Sequence, residues 1–220
     1  FKKVFKYKEL EAITGLPAPA LWRYINMKIM PSEERAQELI NKLTSPSVIN
    51  KIFENNIISV DGNIFNLTRI IYNVSLLKIF AFLAFKEFRR YNITAVATVE
   101  VDGIPVAVNV ADVLDAKLVI ARKSPDIGIK SYYETSFIAT DPSTVVNLFM
   151  PTNALSINDR VLIVDDLLRT GKTSSALMRL VKMSGATPIG VFSIIAVGDK
   201  WKAALEDEVE KIYIVKQLPG

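Results

Sequence analysis

The stretch that decides the fold is Val161-Leu162-Ile163-Val164-Asp165-Asp166-Leu167-Leu168-Arg169-Thr170-Gly171-Lys172-Thr173. Four apolar residues predict a strand buried on both faces, and two adjacent carboxylates follow at its carboxyl end, the edge where open α/β sheets bind ligands. The turn Thr170–Thr173 then leads into a helix near Ser174, whose backbone N–H groups and positive end suit a phosphate. Asp165 and Asp166 suit ribose hydroxyls or a magnesium ion, which prefers oxygen ligands.

Further β-branched runs surround this stretch and alternate with helical segments. The predicted strands are 95–99, 117–120, 161–164, 190–195 and 211–215, and the predicted helices are 106–114, 174–184 and 200–208. A hairpin turning at Asp61-Gly62 and a long apolar helix, 74–91, precede them. The alternation predicts an α/β domain with a mostly parallel sheet flanked by helices.

The first 45 residues have a different character. They predict three short helices: Gly15 ends the first, Pro19 begins the second and Ser32 caps the third. This segment holds 8 Lys and Arg against 5 Asp and Glu, so a contact with a polyanion is expected there. We therefore predict a small all-α domain over residues 1–50 and an α/β domain over residues 51–220.

Composition narrows the chemistry. The chain has no Cys and no His, which excludes a cysteine metal site and the usual neutral-pH general base. Its longest apolar run, Val74 to Phe85, is broken by Lys78 and is shorter than the roughly 20 residues that span a bilayer. We expect a soluble, cytoplasmic protein with no membrane contact.

The stretch from Val161 to Thr173 resembles the signature of type I phosphoribosyltransferases: four hydrophobic residues, two acids, two hydrophobic residues, then x-Thr-Gly-x-Thr. The resemblance implies that fold across roughly residues 56–220. It also implies that Asp165 and Asp166 bind the ribose of phosphoribosyl pyrophosphate (PRPP), together with Mg²⁺. The residues implied to enclose the 5′-phosphate are Arg169, Thr170, Gly171, Lys172 and Thr173.

Three further segments, Ala95–Ala107, Leu118–Lys123 and the strand-like Ser131–Phe137, resemble the purine-operon repressors of Gram-positive bacteria, whose relatives are xanthine and adenine phosphoribosyltransferases. The resemblance implies that Glu134 meets a purine. The residues implied to face pyrophosphate are Glu100, Val101, Asp102, Gly103, Arg122 and Lys123. Those families usually carry Lys or Arg where this chain has Asp102, and a carboxylate repels pyrophosphate unless a metal intervenes.

The segment Tyr7–Lys28 resembles the helix-turn-helix of lambda-repressor-like proteins, whose second helix enters the major groove of double-stranded DNA. The residues implied to face DNA are Ala18, Pro19, Trp22, Arg23, Asn26 and Lys28. The alternative for this segment is a small helical cap over the PRPP site.

These resemblances together imply a DNA-binding transcriptional regulator that senses PRPP or a purine nucleotide without performing chemistry. We expect a homodimer, since operator half-sites come in pairs. The alternative is an active purine phosphoribosyltransferase, adenine or xanthine type, that transfers ribose-5-phosphate from PRPP to a nucleobase with Mg²⁺. A third reading is a PRPP-binding protein whose extra helices only support a dimer.

Overall fold

A computed structural model describes residues 1–61, 64–139 and 143–220. The chain divides into two compact parts, which we call the N-terminal unit (Phe1–Ile79) and the C-terminal unit (Phe80–Gly220). The division lies beyond the predicted junction near residue 50. The reason is that residues 46–56 form a helix of the N-terminal unit, where Lys51 makes an ion pair of 2.8 Å with Glu9.

The N-terminal unit begins with four helices, α1 (Tyr7–Thr14), α2 (Ala18–Ile25), α3 (Glu33–Leu43) and α4 (Pro46–Asn56). The predicted helix signals are confirmed. Gly15 has a φ of 73°, the left-handed conformation that ends α1. Ser32 caps α3, because its Oγ accepts a hydrogen bond of 3.3 Å from the Arg35 N–H.

The N-terminal unit extends past the predicted all-α segment of residues 1–50 and includes two strands. Strands β1 (Ile58–Asp61) and β2 (Ile64–Asn66) pair antiparallel, and the short helix α5 (Thr68–Ile71) follows them. The predicted hairpin therefore belongs to the N-terminal unit. Of its predicted turn, Gly62 lies outside the described residues.

Helix α6 (Val74–Phe88) is the predicted apolar helix, and it ends three residues earlier than expected. Its C-terminal half belongs to the C-terminal unit, where Phe80 and Phe88 are fully buried. Within the described parts of the chain, no helix has the length and apolar character needed to cross a bilayer.

The C-terminal unit is built on a five-stranded parallel sheet, with an antiparallel hairpin beside it. Its strands are β3 (Ala95–Val99), β4 (Lys117–Ala121), β5 (Tyr132–Ile138), β6 (Val145–Pro151), β7 (Arg160–Leu168), β8 (Thr187–Val197) and β9 (Lys211–Leu218). The order in the main sheet is β4-β3-β7-β8-β9, all neighbours parallel. Val161 to Val164 are at most 1% exposed, which confirms the prediction of a strand buried on both faces.

Three helices each follow a strand of this sheet: α7 (Gly103–Leu114), α8 (Lys172–Met183) and α9 (Lys202–Leu205). The first two confirm the prediction. The third is only one turn long, whereas a helix over 200–208 was expected. The next residues, Glu206-Asp207-Glu208, are acidic. Negative side chains destabilise the C-terminal end of a helix, where the helix dipole is also negative.

The hairpin β5–β6 is an element that the sequence analysis found only in part, because β6 was not predicted. The two strands pair from Tyr132↔Pro151 to Ile138↔Val145. The hairpin is joined to the exit of β4 by two backbone hydrogen bonds between Arg122 and Phe149, of 2.9 and 2.8 Å. It thus lies beside the carboxyl edge of the main sheet.

Candidate functional site

A cavity of about 320 Å³ opens at the carboxyl edge of the sheet, in the size range of small-molecule sites. Because β3 and β7 are parallel neighbours, the segments that follow their buried parts meet at this edge. The lining comes from the β3–α7 loop (residues 99–103), from β7 (residues 165–167), from the hairpin (Phe137, Ala139, Val146 and Leu148), and from Lys123 and Thr173. One cavity thus unites the predicted ribose site with part of each predicted phosphate site.

Asp165 and Asp166 form the acidic side of the cavity. Burial raises the pKa of both carboxyl groups, and the neighbouring acid raises that of Asp165 further. Asp165 Oδ1 accepts the Asp166 backbone N–H at 3.0 Å, and its Oδ2 accepts the Ser174 hydroxyl at 3.3 Å. A site that holds two carboxyl groups away from water in this way favours a ligand with hydroxyl donors or positive charge.

The turn after β7 brings the start of α8 to the cavity. Gly171 has a φ of 71°, a conformation that favours glycine, and Thr173 in the first helical turn lines the cavity. First-turn N–H groups have no partner within their own helix and form an anion site. Arg169 and Thr170 flank this turn without lining the cavity. The Lys172 ammonium donates to the Ile138 carbonyl at 3.0 Å.

The β3–α7 loop lies opposite, with a cis peptide bond between Glu100 and Val101. Gly103 is essential to its path, because a Cβ there would lie 2.4 Å from Thr98 Oγ1. Asp102 is close enough to Asp166 to contribute to its raised pKa. The loop therefore brings glycine and backbone amides to the cavity together with an additional carboxylate.

Lys123 lines the cavity and Arg122 does not, although both were predicted to face pyrophosphate. Adjacent residues of an extended segment point to opposite sides. Arg122 instead makes ion pairs with Glu100, at 3.3 Å, and with Asp126. It lines a second cavity of about 380 Å³ on the other side of Glu100.

Glu134, the predicted purine contact, also lies outside the cavity lining. It is exposed on β5, three positions from Phe137, and residues at odd separations lie on opposite faces of a strand. The residues that do face the cavity from the hairpin are apolar, and sequence reasoning missed them. The mostly apolar run from Val145 to Met150, interrupted by Asn147, was the available signal.

The residues predicted to face DNA share one side of α2 and the turn after it. All but Ala18 are exposed. Ala18 is half-buried, and its N–H donates to Glu11 Oε1 at 2.6 Å. The Asn26 side chain is engaged locally, since its Nδ2 donates to the Trp22 carbonyl at 2.8 Å.

Comparison with known proteins identifies a family and several relatives of this chain. The family described as "Phosphoribosyl transferase domain" matches residues 69–218. A xanthine phosphoribosyltransferase of Bacillus mycoides (strain KBAB4) is 34% identical over 111 residues, 50% of this chain and 56% of that protein. One from Bacillus cereus (strain G9842) is 33% identical over the same shares. The chain therefore spans about half the length of the curated relatives it matches.

Solved structures share the fold. The adenine phosphoribosyltransferase of Rhodothermus marinus superposes with a TM-score of 0.69 at 24% identity, over 78% of this chain and 99% of that one. The adenine phosphoribosyltransferase of Giardia lamblia, solved with 9-deazaadenine, gives a TM-score of 0.69 at 19% identity, over 79% and 97%. At these identities the likeness establishes the α/β fold with its mostly parallel sheet.

These comparisons overturn one prediction. The relatives are phosphoribosyltransferase enzymes, so the prediction of a DNA-binding transcriptional regulator, with DNA as its partner, is wrong. The sequence of α2 matches the pattern of a DNA-recognition helix, but that pattern is not specific. An amphipathic helix with an exposed arginine is also common on surfaces that only contact water. The expected homodimer remains a prediction, and its argument from paired DNA half-sites no longer applies.

Proposed function

This chain belongs to the phosphoribosyl transferase domain family, and from that membership we propose that it is a purine phosphoribosyltransferase. It would transfer ribose-5-phosphate from PRPP to a ring nitrogen of a purine and release pyrophosphate. This is the enzymatic alternative of the sequence analysis. The similarity to xanthine phosphoribosyltransferases supports a purine as the acceptor.

The observation that carries the proposal is the shared cavity. It joins an acid pair, the first turn of a helix, a glycine-bearing loop and an apolar wall within about 320 Å³. A sugar with a phosphate at one end, a pyrophosphate at the other and a flat base as its acceptor needs these four surfaces.

Each part of PRPP has a candidate partner. The ribose hydroxyls would donate to the carboxylates of Asp165 and Asp166. The 5′-phosphate would accept hydrogen bonds from the turn of residues 169–173, at the positive end of α8. The pyrophosphate would meet the loop of residues 100–103 and the ammonium group of Lys123, which lines the same cavity.

Phosphoribosyltransferases use Mg²⁺ with PRPP, and the oxygen donors here suit that ion. Within the ranges 1–61, 64–139 and 143–220, no three acidic side chains are grouped closely enough to hold a metal alone. Mg²⁺ often binds through one or two carboxylates together with substrate phosphates, so Asp165 and Asp166 would share it with PRPP. When bound, it would neutralise pyrophosphate and offset the charge of Asp102.

In the proposed reaction, a lone pair of the purine nitrogen forms the bond to C1′ as the bond from C1′ to the pyrophosphate oxygen breaks. The electron pair of that bond leaves with pyrophosphate, and the proton of the nitrogen passes to water. Positive charge develops at the sugar, which the nearby carboxylates stabilise. Positioning and electrostatics would supply the catalysis, consistent with a chain without histidine.

The test is direct. The protein is incubated with PRPP, Mg²⁺ and, separately, xanthine, hypoxanthine, guanine and adenine, and nucleotide and pyrophosphate are measured. We expect both products in equal amounts with at least one purine, and none with the Asp165→Asn/Asp166→Asn variant. Absence of nucleotide with all four purines at saturating Mg²⁺ would contradict the proposal.

A further inference from the structure

The apolar wall of the cavity depends on the hairpin β5–β6, which is not a strand pair of the main sheet. Phe137 and Ala139 come from one side of the hairpin, and Val146 and Leu148 from the other. These apolar side chains suit the flat faces of a purine. The position of the hairpin therefore sets the width of the space left for the base.

Arg179 connects this hairpin to α8. Its Nε donates to Thr135 Oγ1 at 3.2 Å, and its Nη2 donates to the Ser136 carbonyl at 3.0 Å. The third nitrogen, Nη1, lies 3.4 Å from Ser175 Oγ, one turn earlier in α8. The planar guanidinium group thus holds two consecutive hairpin residues, immediately before Phe137, in a fixed orientation.

A second contact lies at the start of the same helix, where the Lys172 ammonium donates to the Ile138 carbonyl. Helix α8 therefore holds β5 on both sides of Phe137. The first turn of α8 is also the proposed phosphate site, and its Ser174 hydroxyl contacts Asp165. Helix α8 thus carries the proposed phosphate site and also holds the apolar wall of the cavity in place.

We propose that Arg179 is a positioning residue for the purine, an inference that rests on the proposed function. Arg179 is exposed and does not line the cavity, so it acts through Thr135 and Ser136 rather than on the substrate. Its contacts set the distance between Phe137 and the ribose site. Small displacements of the apolar wall strongly weaken the binding of a purine in the orientation that reacts.

The test compares Arg179→Gln with Arg179→Lys and with Lys182→Gln as the matched control. Lys182 is a cation on the same helix whose ion pair is with Glu208, away from the hairpin. We expect Arg179→Gln to raise the KM for the purine about fivefold and to change the KM for PRPP less than twofold. Arg179→Lys keeps one donor group, so its KM for the purine should lie between those of the wild type and Arg179→Gln. The KM values of Lys182→Gln should match those of the wild type.

Amide hydrogen exchange of the ligand-free proteins gives a readout that needs no turnover. Residues 132–138 and 145–151 should exchange faster in Arg179→Gln than in Lys182→Gln, while β7 and β8 stay unchanged. Equal changes in both KM values, or hairpin exchange like that of the control, would overturn the inference. If the wild type forms no nucleotide, the proposed function fails, and the exchange data decide separately whether Arg179 holds the hairpin.

Discussion

The hydroxyl group of Ser174 donates a hydrogen bond of 3.3 Å to the carboxyl group of Asp165. Ser174 is 1% exposed and lies in the first turns of α8, whereas Asp165 lies in β7. The bond joins the two ends of the turn that contains Gly171. It therefore fixes the spacing between the acid pair and the proposed phosphate site.

We predict that Asp165→Asn strongly lowers activity and stabilises the ligand-free protein. Burial and the neighbouring Asp166 raise the pKa of Asp165, so the folded protein binds more protons than the unfolded chain. The stability of the wild type consequently falls as pH rises from the ordinary carboxyl pKa through the raised one, and stays low above it. An asparagine removes that cost at neutral pH and still accepts the Asp166 N–H.

Thermal unfolding and nucleotide formation test this prediction. At pH 7 the variant should have a higher Tm than the wild type, and nucleotide formation should fall by about two orders of magnitude. The Tm difference should shrink as the pH is lowered towards 4. Asp207→Asn, at an exposed position in the same unit, is the control and should change neither quantity. A less stable Asp165→Asn protein at neutral pH would contradict this account.

Lys123 should govern affinity for PRPP. Among the described residues that line the cavity, Lys123 carries a positive charge. Hydrogen bonds from charged donors contribute about 1.5–3 kcal/mol, so Lys123→Gln should raise the KM for PRPP about tenfold or more. The KM for the purine should change less than twofold. Lys130→Gln, in the exposed loop before β5, is the matched control, and an equal effect there would rule out a specific contact.

Asp102 should contribute to the pH dependence of catalysis. Burial raises the pKa of Asp166, and the nearby Asp102 carboxylate raises it further. The proposed binding of PRPP with Mg²⁺ needs the charged form of Asp166, so activity should fall as pH drops through this raised pKa. Asp102→Asn removes one negative charge and should lower the pKa of Asp166, which moves the acidic limb of kcat/KM to lower pH.

The experiment is a pH profile of kcat/KM for PRPP from pH 4.5 to 8 at saturating Mg²⁺. Asp112→Asn, exposed on α7, serves as the control and should give the wild-type profile. An acidic limb that is unchanged in Asp102→Asn would show that the two carboxylates do not interact under the assay conditions.

The sequence predicted the acid pair and the helix start because their chemistry is local. A buried strand, two acids, a Thr-Gly turn and a helix occupy one continuous stretch, so no long-range contact is needed to recognise them. The loop of Glu100 to Gly103 and Lys123 were predicted from a resemblance, and they line the same cavity. Parallel pairing of β3 with β7 brings these separate segments to one cavity.

Other parts of the site depend on which strands pair and which face each side chain occupies, and the sequence alone does not determine these. Successive side chains of a strand point to opposite faces, and this decides where Arg122 and Glu134 point. An error of one residue in the assumed alignment places a side chain on the wrong face. The apolar wall was missed because β6 follows a strand with polar residues and pairs with it only in the folded protein. The role of α2 was misjudged because a short amphipathic helix with outer basic residues is common to many surfaces.

Gly103 provides the sharpest test of the loop geometry. Because a Cβ there would lie 2.4 Å from Thr98 Oγ1, and Thr98 is 0% exposed, Gly103→Ala must displace buried atoms. Overpacking of this kind costs about 1–3 kcal/mol, so the free energy of unfolding in urea should fall by that amount. The loop should shift as well, which should raise the KM for PRPP.

Removing the obstructing atom gives the matched control. In Gly103→Ala/Thr98→Ala the Oγ1 is gone, and the next atom near the new Cβ is the Val164 carbonyl oxygen at 3.7 Å, an ordinary contact. The double variant should therefore be no less stable than Thr98→Ala alone, and its KM for PRPP should return towards that of Thr98→Ala. In a double-mutant cycle the two substitutions would then be strongly coupled. If the effects of the two single substitutions on stability and on KM simply add, then the Thr98 hydroxyl does not limit how closely residue 103 of the loop approaches Thr98.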